Sequence, residues 1–168
     1  MAIGGHQIAH KKSLYTPEER ARRDASPWTK VQAILAPAQF LVFAISLALV
    51  LRYLSTGDGY VAATSSIVIK TLILYTIMVT GAIWEKAVFG QYLFVPAFFW
   101  EDVFSMLVLA LHTAYLVALF FDLAGPVTLM WIALAAYAAY VINAAQFVLK
   151  LRQARLGQSP ASLSEEYA

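Results

Sequence analysis

The sequence predicts an all-α integral membrane protein, a bundle of four spanning helices with both termini in the cytoplasm. Three observations carry this. Four apolar runs are each long enough to cross a bilayer. Charged residues are scarce, and the basic ones gather at one end of every run. Of 168 residues, 61% are hydrophobic and 13% are charged, with a mean hydropathy of +0.67. A soluble domain runs at about 45–50% apolar and about 25% charged. These values exclude a water-soluble globule, and they exclude disorder, which needs low hydrophobicity and high charge. The chain has no Cys. That removes disulfides, thiolate metal sites and a Cys nucleophile, and leaves the redox compartment undetermined. A net charge of +2 makes no electrostatic case for nucleic acid.

A span needs about 20 mostly apolar residues. The first, 31–51, carries no charge. The second lies between Asp58 and Glu85 and contains one charge, Lys70. The third, 103–121, is uncharged, and its helix is expected to start earlier, at Pro96, a residue suited to a first helical position. The fourth, 123–149, is also uncharged. Strict alternation is absent, and the runs are too long for barrel strands of about 9–11 residues. The expected organisation is a tail over 1–30, a four-helix domain over 31–151 and a second tail over 152–168.

The connectors carry turn chemistry. Ser55-Thr-Gly-Asp-Gly59 closes the first hairpin and Asp122-Leu-Ala-Gly-Pro126 the second. Thr16-Pro-Glu-Glu19 reads as a capping box that opens a short basic helix through Arg23. Ser26-Pro-Trp28 restarts the chain, with Trp28 placed as an interfacial anchor. The first 30 residues have no apolar h-region, so they do not read as a cleaved signal peptide. Lys11, Lys12, Arg20, Arg22, Arg23, Lys30, Lys86, Lys150, Arg152 and Arg155 fall on one face and Arg52 on the other. That asymmetry sets the orientation. The bland reading of the basic tail is positive-inside topology with headgroup attraction, favoured over a partner site. His6 and His10 share a helical metal spacing but lack a third ligand.

Ionisable groups within a span are costly, so each is a functional candidate. At 1.5 Å per residue, Glu101 and Asp102 lie roughly 5 Å inside the cytoplasmic edge, and Asn143 and Gln146 roughly 6–11 Å inside. Glu85 ends the second span and Gln39 sits in the same third of the first. Four helices thus send polar groups to one depth, which predicts a pocket opening toward the cytoplasm. Trp84-Glu85-Lys86 and Trp100-Glu101-Asp102 flank an aromatic connector with Phe89, Tyr92 and Phe94. This surface suits a large flat amphiphile arriving from the membrane. It suits equally an aromatic belt with capping carboxylates.

Glu101, Ser105 and His112 share one stripe, with a rise of about 16 Å between the first and last. His112 reads as a bundle residue, a metal ligand or a proton relay. Lys70 is expected to snorkel outward. Asn143 and Gln146 fit interhelical bonding or a site, as does Tyr140. Pro37 marks an expected kink, and Ala133, Ala135, Ala136, Ala138 and Ala139 mark close helix packing. No nucleotide loop, zinc-protease or nucleophile-elbow motif occurs.

Five runs carry a resemblance: Leu14-Tyr-Thr-Pro-Glu-Glu-Arg-Ala-Arg-Arg-Asp-Ala-Ser-Pro-Trp28, Tyr75-Thr-Ile-Met-Val-Thr-Gly-Ala-Ile-Trp-Glu-Lys86, Phe98-Phe-Trp-Glu-Asp-Val-Phe-Ser-Met106, His112-Thr-Ala-Tyr115 and Tyr140-Val-Ile-Asn-Ala-Ala-Gln146. Over residues 14–155 the chain resembles the 3-vinyl (2-vinyl) bacteriochlorophyllide hydratases of bacteriochlorophyll biosynthesis. The resemblance implies hydration of the C3 vinyl group of a chlorin to a 1-hydroxyethyl group. It implies no redox cofactor, Mg²⁺ carried by the substrate, and a bacterial inner or photosynthetic membrane. Expected partners are the chlorophyllide-type tetrapyrrole, the lipid bilayer, and other pathway enzymes or a second copy. It transfers no residue roles.

Acid-first hydration requires a positioned general acid and a group that orients or deprotonates water. Candidate acids are Glu101, ranked first, then Asp102 and Glu85. Asn143, Gln146 and Tyr140 are the candidates for orienting water or binding substrate. His112 is the candidate axial ligand to the substrate's Mg²⁺. The alternatives are a non-enzymatic pigment carrier, with His112 as axial ligand, and a small proton-coupled transporter using Lys70, Glu101 and His112. Four helices with no clear inverted repeat disfavour transport.

Overall fold

The computed structural model describes residues 14–156, which form five helices. They are α1 (Pro17–Ala25), α2 (Pro27–Thr56), α3 (Tyr60–Phe89), α4 (Phe99–Phe120) and α5 (Pro126–Leu156). The last four are long and apolar enough to cross a membrane. The metal spacing of His6 and His10 and the tail beyond 156 lie outside the described residues. The four-helix expectation is therefore corrected to five helices, because the short basic helix docks on the bundle as α1, packing on α3.

Each helix begins and ends for a local reason. At α1, Thr16 Oγ1 accepts from the Glu19 N–H and Glu19 Oε2 accepts from the Thr16 N–H, at 3.2 and 2.8 Å. Both orphan donors of the first turn are thereby satisfied. Ser26 breaks α1 from α2, and Pro27 occupies the first turn of α2, where a missing N–H costs nothing. Gly57 ends α2 with φ +79°, and its N–H bonds to the Tyr53 carbonyl at 2.8 Å. Gly90 closes α3 in the same left-handed way, with φ +85°.

The start of α4 differs from expectation. Pro96 opens a turn rather than the helix, which begins at Phe99. The cause is Phe94, whose φ of +59° reverses the chain just before Pro96. The turn then closes with the Phe98 N–H on the Val95 carbonyl at 2.9 Å.

The long helices pair as α2 on α3 and α4 on α5, with α2 against α5 and α3 against α4 completing the bundle. One core cluster runs through its centre, with Phe43, Ile67, Val108, Tyr115, Met130 and Tyr137 among its members. A second, aromatic cluster closes the end from which α2 leaves, built on Tyr15, Val88, Val95 and Phe98 with Trp84, Phe89 and Phe147 packed against it. This end also carries Lys30, Lys86, Lys150 and Arg152, and is called the basic end below. Large apolar side chains such as Ile34, Leu41, Val61 and Phe120 point outward. A helix apolar on all sides is one built for a hydrocarbon surround.

Candidate carboxyl site at the basic end

The polar groups form a column through the bundle, starting at the basic end. Glu101, in the first turn of α4, is buried, and its Oε2 lies 2.6 Å from Lys150 Nζ on α5. Lys150 also donates to the Ala97 carbonyl in the turn that precedes α4. Its charge sits 5.0 Å from the centre of the Phe98 ring.

One position further on α4, Asp102 points elsewhere. Successive helical residues diverge by about 100°. Its Oδ2 accepts from the Phe94 N–H at 2.7 Å. The carboxyls of Asp102 and Glu85 are close enough to interact, and the Val95 amide approaches Glu85. Both side chains are buried. The Phe94 N–H, at a residue with left-handed φ, thus ties the connector to the first turn of α4.

Deeper in the bundle, Asn143 Nδ2 donates to Ser105 Oγ at 2.8 Å, tying α5 to α4. Asn143 Oδ1 and Gln146 Oε1 are buried with no hydrogen-bond partner among the described residues. So are both amide atoms of Gln39, which is 1% exposed. Buried polar groups are almost always paired, so each of these orphans is a candidate position for a polar ligand or water.

The middle of the column is a buried lysine. Lys70 Nζ lies 3.0 Å from His112 Nε2, and His112 Nδ1 lies 2.8 Å from the Val108 carbonyl. Both residues are fully buried. The rings of Tyr140, Tyr137 and Phe43 surround the ammonium at 4.3, 5.1 and 5.9 Å. Beyond it, Tyr137 Oη bonds to Ser46 Oγ at 2.5 Å, which reaches Ser66 Oγ at 2.7 Å.

One expectation changes on this geometry. Lys70 does not snorkel; an imidazole acceptor and three aromatic faces hold its head inside. Both ring nitrogens of His112 are engaged by protein groups, Nε2 by Lys70 and Nδ1 by the Val108 carbonyl. Lys86 Nζ donates to the Gly90 carbonyl at 2.7 Å and lies over Tyr92, away from the carboxyls. Of the seven candidate site residues, Glu85, Asp102 and Glu101 share the basic end, with Asn143 and Gln146 on the adjoining part of α5. His112 and Tyr140 belong to the lysine cage. Sequence reasoning missed Lys150 as a functional group. Its signal was present, since it is the first charge after a long uncharged run.

Two surfaces border the carboxyls. Tyr92, Phe94, Phe99 and Trp100 are exposed, with Phe94 and Phe99 ring centres 5.9 Å apart and Phe99 and Trp100 5.5 Å apart. A cleft of about 500 Å³ lies between residues 14–19 and the connector, lined by Thr16, Gln91, Val95, Pro96, Ala97 and Lys150 among others. That volume is within the range of small-molecule sites. Its inner wall is the backbone whose other side faces Glu85 and Asp102.

A family model described as 2-vinyl bacteriochlorophyllide hydratase matches residues 15–153. A 2-vinyl bacteriochlorophyllide hydratase of Rhodobacter capsulatus is 74% identical over 150 residues, covering 89% of this chain and 87% of its own. One from Cereibacter sphaeroides is 71% identical over 153 residues, covering 91% of this chain and 95% of its own. No solved structure matches the chain. The matched region spans all five helices and every residue of the polar column, and the chain belongs to the 2-vinyl bacteriochlorophyllide hydratase family.

Proposed function

We propose that the chain adds water across the C3 vinyl group of a bacteriochlorophyllide-type pigment to give the 1-hydroxyethyl product, with the Glu85–Asp102 carboxyl pair as general acid and base. The observation that carries this is the approach of two buried carboxyls to one another, one of them accepting from the Phe94 N–H at 2.7 Å. Glu85 Oε2 is buried without a donor. A single proton held between the pair supplies one, since two carboxyls bond to one another only through a shared proton.

The steps balance. The shared proton passes to the terminal vinyl carbon, and the positive charge forms on the carbon attached to the ring, where the macrocycle delocalises it. The carboxyl pair is left anionic, and the Phe94 and Val95 amides stabilise it. Water attacks the cationic carbon and returns one proton to the pair. The sum is vinyl plus water, with no electrons exchanged, so no electron carrier is required, and Mg²⁺ enters within the substrate. Asn143 Oδ1 and Gln146 Oε1 are acceptors suited to orienting that water. Glu101, ranked first on sequence, is engaged by Lys150 and serves here in binding rather than proton transfer. Tyr140 and His112 hold Lys70 and shape the bundle behind the site.

The exposed aromatic shelf supports entry of a flat pigment from the bilayer. The basic end is the cytoplasmic one in this reading, with both termini there, and the membrane is the bacterial inner or photosynthetic membrane. Other enzymes of the pathway or a second copy are its candidate partners. Incubating the purified protein in the dark with 3-vinyl bacteriochlorophyllide in ¹⁸O-water tests the reaction. The expected product carries the label in its hydroxyl group. Hydroxyl oxygen derived from O₂, or pigment bound without a mass change, would overturn the reading.

A further inference from the structure

Resting on the hydratase reading, we infer that Lys150 anchors the free carboxylate side chain of the pigment and so selects the acid over its ester. Lys150 is the single cation lining the 500 Å³ cleft among the described residues. An ammonium has three N–H donors. Two are committed, to the Ala97 carbonyl and to Glu101 Oε2, which leaves one for a ligand. The side chain is one-quarter exposed while that of Glu101 is 8% exposed, so the ion pair presents its positive partner to the cleft.

Position and charge fit an amphiphilic acid. Lys150 ends the uncharged run of α5, so it stands where the hydrocarbon gives way to water. A chlorophyllide is a wide apolar ring bearing a propionate, and a carboxylate is costly in hydrocarbon, so it settles at that boundary. Glu19 also lines the cleft, and its carboxylate is turned to the Thr16 N–H at 2.8 Å. The paired Glu101 fixes Lys150 on one side only. On that side the next residue of α4 is Asp102, and Lys150 lies near enough to act on its charge. A pigment held by its propionate at Lys150 is therefore anchored beside the first turn of α4, which carries Asp102.

The test uses the full chain in nanodiscs and two probes, 3-vinyl bacteriochlorophyllide and its propionate methyl ester. Binding is read from the pigment absorption and turnover from product mass. In the native protein the acid should bind about tenfold to a hundredfold more tightly than the ester, the worth of one hydrogen bond to a charged group. Lys150→Met should bring the two together by weakening the acid alone, and Lys150→Arg should keep most of the preference. Equal binding of acid and ester by the native protein would overturn the inference. So would an unchanged preference in Lys150→Met, which would leave Lys150 a purely structural clamp. The native comparison needs no variant, so a misfolded Lys150→Met does not spoil it. Product from neither probe would overturn the hydratase reading, while the binding ratio still reports on Lys150.

Discussion

Lys70 and His112, 42 residues apart in sequence, meet at 3.0 Å in the fully buried centre of the bundle. His112 Nδ1 faces the Val108 carbonyl and so carries the proton, which leaves Nε2 to accept from the lysine. The pair is asymmetric in its dependence. Removing the imidazole leaves the buried lysine amino group without its hydrogen-bond partner. Removing the lysine leaves only an unused lone pair inside an aromatic cage. His112→Ala should therefore destabilise the protein by about 1.5–3 kcal/mol. Lys70→Met should cost less or be neutral, since a linear apolar chain fills the same channel. Thermal unfolding of both variants in one detergent checks the order. The pigment's axial-ligand spectroscopic signature should be unchanged in His112→Gln if the imidazole never reaches Mg²⁺.

Tyr15 docks α1. Its ring stacks on Phe89 at 5.8 Å and approaches Phe98 at 6.4 Å, and the Arg23 guanidinium lies 4.8 Å from its centre. Burial pushes the phenol above its usual value, with the Arg23 charge opposing. The sign follows directly. A group whose folded value is raised adds stability below its unfolded value of about 10. That contribution is lost as pH climbs through and beyond it. Docking of α1, followed by Trp84 fluorescence, should hold from neutral pH to about 9 and weaken above about 10. Tyr15→Phe should remove the alkaline loss.

The orientation rests on charge. The positive-inside rule applied to ten basic residues against one predicts that the end carrying α1 is the cytoplasmic one. The chain has no native Cys to confuse a labelling experiment. A single Cys at Asp58 should react with a membrane-impermeant thiol reagent in cells with a permeabilised outer membrane. A single Cys at Glu18 should react only after lysis. The opposite pattern would invert the topology and put the carboxyl site on the outer side.

The spans are legible in the sequence because uninterrupted apolar length is a property of one segment and needs no neighbour. The capping box at Thr16 and the turn cluster at 55–59 are legible for the same reason. The depth of Glu85, Glu101 and Asp102 follows from counting along single helices. Which carboxyl meets which partner is set by rotation and register between helices, and neither is written in any one run. Lys150 reads as a boundary charge until α5 lies beside α4 and brings it to Glu101. Lys70 reads as a snorkelling residue because its cage comes from α2, α4 and α5. The start of α4 moved because Pro96 is equally suited to a turn. The deciding feature, Phe94 with positive φ, is one that a bulky residue rarely adopts.

Asp102 is asked to do two things, and two substitutions separate them. Its Oδ2 holds the Phe94 N–H, which supports a left-handed conformation that costs a non-glycine residue roughly 1–2 kcal/mol. Its carboxyl also meets Glu85. Asp102→Asn keeps a carbonyl acceptor for the Phe94 amide but cannot share a proton as an acid. It should keep the connector in place and lower single-turnover hydration by about 10²–10⁴-fold, the usual contribution of a positioned general acid. Glu85→Gln should do the same. Asp102→Ala removes acceptor and acid together, so turnover should fall as far and the connector should also open to protease between Gln91 and Ala97. Phe94→Gly in that background should not restore turnover, because it relieves the backbone without replacing the proton. Limited proteolysis beside dark single-turnover assays of these variants distinguishes the roles. An Asp102→Asn protein with near-native turnover would return the acid role to Glu101, and Glu101→Gln would then show the loss instead.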